Sequence, residues 1–185
     1  VKSTISIPNI LTLIRILLTP LFVIVLLREE RTQALLIFSL AAVSDSLDGL
    51  IARILKQRTD LGAILDPIAD KLLMTASFVS MAVLKMIPAW LTVVVISRDL
   101  LILLGMGLFT MKRIDIEIRP RLVSKCTTAV QLTTIVWVLL DWQAAPAKTI
   151  TIAAYFLTAS LTIVSGLQYI YIGLNVLQDN SRNNQ

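Results

Sequence analysis

Four aspartates, Asp45, Asp48, Asp66 and Asp70, lie in the stretch SDSLDGLIARILKQRTDLGAILDPIADK, Ser44 to Lys71, with strongly apolar sequence on both sides. An ionised carboxylate at the centre of a membrane helix costs about 2.5–3.5 kcal/mol or more. A chain that carries four of them holds something with their charge. Asp45 and Asp48 are three apart and Asp66 and Asp70 four apart, so on helices each pair shares one face. Carboxylates brought this close cannot all stay ionised without a counter-charge, and one or two divalent cations would supply it. Hard cations prefer carboxylate oxygen and bridge phosphate groups. Two of them stabilise both the attacking and the leaving oxygen of a displacement at phosphorus. The chemistry these residues point to is metal-assisted work on a diphosphate.

The rest of the composition narrows the choice. The chain has no histidine, which removes Ser-His nucleophilic chemistry and His-ligated zinc. Its single cysteine, Cys126, can form neither an intramolecular disulfide nor a cysteine metal cluster. Any metal is therefore held by oxygen, which favours magnesium, manganese or calcium. Gly49, Ala52 and Gly62 are small enough to let a flat ligand approach the backbone. Close helix packing in a membrane would use the same residues. Arg53, one turn beyond Gly49, suits a bidentate grip on a phosphate, or else an interfacial anchor.

The elements that must position these groups are apolar helices. Hydrophobic residues make up 56% of the 185 residues, and the mean hydropathy is +0.82. A soluble domain is nearer 45–50% apolar. The pattern predicts an all-α, polytopic membrane protein, a six-transmembrane-helix bundle forming one domain over residues 1–185. The predicted helices are Asn9 to Leu27, Gln33 to Lys56, Asp66 to Lys85, Ala89 to Met111, Arg121 to Asp141 and Thr149 to Leu177. Asn9 is a plausible N-cap for the first, which is expected to be a spanning helix and not a removed signal. Pro67 suits the first turn of the third. QRTDLG, before it, reads as a loop, and so does the segment around Pro146. The tail QDNSRNNQ reads as frayed. Arg15, on an early turn of the first helix, is either a snorkelling interfacial cation or part of a site. Trp90, Trp137 and Trp142 read as interfacial belts or packing.

Six helices put both termini on one side, together with Lys2, Lys56, Arg58, Lys112, Arg113, Arg119, Arg121 and Arg182. The positive-inside bias makes that side cytoplasmic. The aspartates fall late in the second helix and early in the third, toward the same face and within reach of a water-soluble nucleotide. The net charge of +5 is scattered at the ends of apolar runs. That distribution favours anionic lipid over nucleic acid as a partner.

The order Asp45-x2-Asp48-Gly49-x2-Ala52-Arg53-x8-Gly62-x3-Asp66-x3-Asp70 resembles the signature of the CDP-alcohol phosphatidyltransferase family at every specified position. The resemblance implies six transmembrane helices, with the motif across the second and third. It implies transfer of a phosphatidyl group from CDP-diacylglycerol to an alcohol, with release of CMP. Asp45, Asp48 and Asp66 would ligate two divalent metals, Mg2+ or Mn2+, with Asp70 beside them. Asp70 would also be the general base toward the acceptor hydroxyl. Asp45, Gly49, Ala52, Arg53, Gly62 and Asp66 would bind the cytidine diphosphate. Family members are usually homodimers, and the implied location is the cell (inner) membrane.

For the acceptor, PNILTLIR (Pro8 to Arg15), DPIADKLL (Asp66 to Leu73) and ISRDLL (Ile96 to Leu101) resemble the phosphatidylglycerophosphate synthase branch. That branch usually carries Gly-Lys-x-Lys-Thr at the start of the fifth helix, where this chain has Ser124-Lys125-Cys126-Thr127-Thr128. The pattern SKxxTAxQ, Ser124 to Gln131, looks like the CDP-alcohol type of cardiolipin synthase. Glycerol 3-phosphate ranks slightly above phosphatidylglycerol. Arg98, Arg119, Arg121 and Lys125 are candidate ligands for an acceptor phosphate. The alternatives are the positive-inside loop for Arg119 and Arg121, snorkelling for Lys125, and pairing among buried groups for Arg98 and Asp99. A cation transporter is a remote rival. It would place its acids near the midplane on broken or repeated helices, and no repeat is visible here.

Overall fold

A computed structural model describes the backbone of residues 7–55, 60–111, 122–141 and 145–183, and the side chains of 10–44, 68–105, 123–141 and 147–175. All regular structure among the described residues is helical: α1 (Ile7–Leu27), α2 (Arg31–Leu55), α3 (Asp60–Val83), α4 (Ala89–Met111), α5 (Leu122–Leu139) and α6 (Ala145–Asn183).

The bounds of α4 coincide with the expected ones, and those of α2 and α5 differ by one or two residues at each end. Three other expectations are corrected. First, α1 starts at Ile7, so Asn9 is inside the helix and is not its N-cap. Second, α3 starts at Asp60, which puts Gly62 in its first turn instead of a loop, and Pro67 in its interior instead of its first turn. Proline there forfeits one intrahelical N–H bond and crowds the carbonyl four residues before it, yet the helix continues through it. Third, α6 starts at Ala145, so Pro146 sits in its opening turn, where the missing N–H would have had no partner. The same helix runs through the polar tail to Asn183, because its backbone bonds are local and do not require an apolar face.

Two helix ends share one device. After α1, Glu29 has φ 61°. Its N–H donates to the Leu26 carbonyl at 2.9 Å, and the Glu30 N–H donates to the Val25 carbonyl at 3.3 Å. After α3, Lys85 has φ 57°. Its N–H reaches the Ala82 carbonyl at 3.0 Å, and the Met86 N–H reaches the Met81 carbonyl at 2.8 Å. This reverse-turn cap satisfies the last carbonyls and usually employs glycine at the left-handed position.

The chain divides into two units, Val1–Pro88 with Ile135–Trp142, and Ala89–Thr134 with Gln143–Gln185. In the first unit, α1 packs against both α2 and α3. The α1 stripe Thr12, Arg15, Thr19, Phe22 and Leu26 is buried, as are Ala34, Phe38 and Ala41 of α2 and Ala69, Leu73, Ser77 and Met81 of α3. Pro20 lies inside α1. Just before it, the Thr19 hydroxyl donates to the Arg15 carbonyl at 2.9 Å. In the second unit, α4 packs against α6. Trp90 and Phe156 meet there as a tilted pair, with ring centroids 5.8 Å apart.

Both units bury polar groups and expose apolar ones. Leu17, Leu36, Leu40, Val93, Leu104, Phe156 and Leu167 are all more than half exposed. Thr12, Arg15, Arg98, Asp99, Gln131 and Thr162 are enclosed. Helices in a bilayer show this arrangement, because polar side chains there turn toward the protein interior. By length and composition, two helices among the described residues can cross a membrane, over Ile10–Leu27 and Ala147–Asn175. The expectation of six spans is therefore met for helix number and only for these two stretches by length and apolarity.

Candidate functional site

The motif lies wholly in the first unit. Asp45, Asp48, Gly49, Ala52 and Arg53 fall in the second half of α2, and Gly62, Asp66 and Asp70 in the first half of α3. The backbone is helical at all four aspartates, so the three-residue and four-residue spacings put each pair on one helix face. Both helices pack against α1. The side chains of residues 45–67 lie outside the described residues. Asp70 is described and is half-buried, beside the fully buried Ala69. A donor set made only of carboxylates, paired by helical spacing, fits a hard divalent cation.

Arg15 is the residue of this unit that sequence left open and burial decides. It is 0% exposed. A snorkelling cation keeps its head in water or at the lipid headgroups; this one does not, and the interfacial reading is overturned. Thr12 and Thr19, one turn to either side on the same stripe, are also buried.

The described acceptor candidates belong to the second unit. Arg119 and Arg121 lie outside the described residues. Lys125 is exposed on α5. Arg98, only 4% exposed, is engaged on every arm. Its Nη1 donates to Asp99 Oδ1 at 2.7 Å, and its Nη2 to Ser124 Oγ at 2.8 Å and Ser165 Oγ at 3.0 Å. Nε lies 3.4 Å from the same Ser165 hydroxyl. Arg98 thus ties α4 to α5 and α6, which supports internal pairing over a role toward an acceptor. The Arg98 stem passes over Gly166 of α6, where a Cβ would meet its Cγ at 3.6 Å, an ordinary contact.

A polar seam continues between α5 and α6. The Gln131 amide donates to the Thr162 hydroxyl at 3.1 Å, and Thr134 and Thr158 share a bond of 2.8 Å. The Thr127 hydroxyl lies 2.8 Å from the Val123 carbonyl and 3.2 Å from the Leu161 carbonyl. Thr127 is 0% exposed, so the position where the glycerol-phosphate branch has a second lysine is packed against α6 here. Sequence reasoning missed the α6 half of this seam. The available signal was Thr158, Thr162 and Ser165, which share one helix face at helical spacing.

A family model of the CDP-alcohol phosphatidyltransferases matches residues 5–164. The chain belongs to that family. The cardiolipin synthase (CMP-forming) of Homo sapiens is 32% identical over 194 residues, covering 94% of this chain and 63% of that protein. The probable cardiolipin synthase (CMP-forming) of Drosophila melanogaster is 31% identical over 193 residues, 91% of this chain and 58% of that protein. The CDP-diacylglycerol--glycerol-3-phosphate 3-phosphatidyltransferase of Bacillus subtilis is 34% identical over 109 residues, 51% of this chain and 56% of that protein. The chain thus spans less than two thirds of the length of each of these relatives.

Proposed function

We propose that this protein transfers the phosphatidyl group of CDP-diacylglycerol to a hydroxyl of a glycerol-type alcohol and releases CMP. The observation that carries this reading is the complete eight-position motif, set on two helical segments of one packed unit.

Asp45, Asp48, Asp66 and Asp70 hold the divalent cations, magnesium or manganese and two in number. Bound there, such ions supply Lewis-acid stabilisation of the phosphoryl and leaving oxygens. Asp45, Gly49, Ala52, Arg53, Gly62 and Asp66 form the cytidine diphosphate site. The small residues admit the nucleotide close to the backbone, and Arg53 grips a phosphate. Asp70 takes the proton of the acceptor hydroxyl as its oxygen attacks the phosphorus that bears the diacylglycerol. The bond from that phosphorus to the CMP oxygen breaks, and CMP leaves. A carboxylate beside cations is a weak base by charge, so its placement against the hydroxyl must do much of the work.

Two acceptors are open, glycerol 3-phosphate and phosphatidylglycerol. The resemblance of Pro8 to Arg15, Asp66 to Leu73 and Ile96 to Leu101 to the glycerol-phosphate branch ranks the first slightly ahead. Burial of Thr127, and relatives named cardiolipin synthase that match over nearly the whole chain, favour the second. The deciding experiment supplies purified protein with CDP-diacylglycerol, Mg2+ or Mn2+ and each acceptor separately. CMP release is followed and the lipid product identified by mass. A phosphatidylglycerophosphate product assigns glycerol 3-phosphate, and cardiolipin assigns phosphatidylglycerol. Absence of CMP with both, alongside metal-dependent ion flux in vesicles, would replace the enzyme with a transporter.

The apolar outer surfaces and the buried polar seams support a six-span membrane bundle. Its motif and both termini are assigned to the cytoplasmic side of the inner membrane. It is assigned as a homodimer.

A further inference from the structure

Phe22 of α1 and Phe38 of α2 meet with ring centroids 5.7 Å apart. The two helices are joined by only residues 28–30 and pack on each other, so they run antiparallel. That contact sets their register. Each step back along α1 from Phe22 is matched by one step forward along α2 from Phe38. Thr19 is then level with Ala41, and both are buried. Seven residues from the phenylalanine pair, Arg15 is level with position 45, and Thr12 with position 48. At a rise of about 1.5 Å per residue, this levelling holds to roughly one turn, ~5 Å. Positions 45 and 48 also continue the spacing Ala34, Phe38, Ala41 along α2. The buried arginine of α1 therefore sits at the height of the first two aspartates of the motif.

An arginine does not lose its charge on burial. The loaded site makes use of that charge. Four carboxylates and two divalent cations balance, and the diphosphate then adds two negative charges. Arg53 answers one of them. A second fixed cation would complete the balance in a medium where uncompensated charge is expensive. We propose that Arg15 is that cation, a substrate-binding residue for the diphosphate of CDP-diacylglycerol. This rests on the proposed phosphatidyl transfer and adds a residue from outside the motif.

The test compares Arg15→Gln and Arg15→Lys with the wild type in detergent. Three quantities are read: KM for CDP-diacylglycerol, kcat for CMP release, and the Kd for Mn2+ without substrate, from the electron paramagnetic resonance of free Mn2+. Arg15→Gln should raise KM at least tenfold and leave Mn2+ binding unchanged or tighter, since a positive charge near the cations has been removed. Arg15→Lys should fall between Arg15→Gln and the wild type. Unchanged KM in Arg15→Gln overturns the proposal. So does loss of Mn2+ binding together with activity, which marks a scaffold role. If Arg15→Gln does not accumulate folded, Arg15→Lys carries the test: a severalfold rise in KM with wild-type Mn2+ binding supports the proposal, and wild-type KM overturns it. Failure of the transfer reading itself would appear in the wild type, as no CMP with either acceptor.

Discussion

Arg98 on α4 and Ser165 on α6 are 67 residues apart in sequence and bonded at 3.0 Å, in a pocket that also holds the carboxylate of Asp99. The ion pair is enclosed, with side chains 4% and 5% exposed. A charge pair of this kind contributes little by existing and much by being broken, because one partner is then left buried and uncompensated. Arg98→Ala should destabilise the protein by about 3–5 kcal/mol. Ser165→Ala, which removes a bond to a charged group, should cost about 1.5–3 kcal/mol. Thermal unfolding in detergent checks both. An Arg98→Ala protein with unchanged Tm and a raised KM for the acceptor alone would return Arg98 to the acceptor site.

Asp45→Asn and Asp66→Asn should each abolish CMP release and weaken Mn2+ binding, with helicity by circular dichroism retained. Retained Mn2+ binding in both would remove them from the metal site.

Asp70→Asn should separate binding from chemistry. A positioned general base contributes roughly 10²–10⁴-fold. Turnover should fall by that order while CDP-diacylglycerol binding, measured by equilibrium dialysis, largely survives. Equal loss of both would leave Asp70 a ligand and not a base.

Thr127→Lys would restore the second lysine of the glycerol-phosphate branch, but the position is enclosed against α6. A lysine there loses a bond to the Leu161 carbonyl and buries an ammonium group. It should lower stability by about 3–5 kcal/mol and leave KM for glycerol 3-phosphate no better. A folded variant with a lower KM for that acceptor would show that the side chain escapes to the acceptor.

Glu29→Gly and Lys85→Gly act on the left-handed caps after α1 and α3. A residue with a Cβ pays about 1–2 kcal/mol in that conformation, partly offset by the greater freedom glycine has when unfolded. Each variant should raise Tm slightly or leave it unchanged. A fall would mean that the side chain itself holds the turn.

The residues that do the proposed chemistry were legible from sequence, because the motif is local. Its meaning lies in residue type and in spacings of three and four, which a helix of fixed pitch turns into shared faces. Helix number was legible for the same reason. Helix ends were less so: Gly62, Pro67 and Pro146 look like breakers in a string of letters, yet each lies within a helix, Gly62 and Pro146 in opening turns and Pro67 in an interior. Tertiary structure decided the charged and polar residues outside the motif. Arg15 and Lys125 each read as either a snorkelling cation or a site residue, but burial enclosed the first and left the second exposed. Arg98 read as either an acceptor ligand or a member of a buried pair, and Ser124 and Ser165, distant in sequence, occupy its donors and support the second. Sequence shows that a charge is present. Which groups surround it depends on helices brought together from far apart in the chain, and those neighbours determine whether it anchors the fold or meets a ligand.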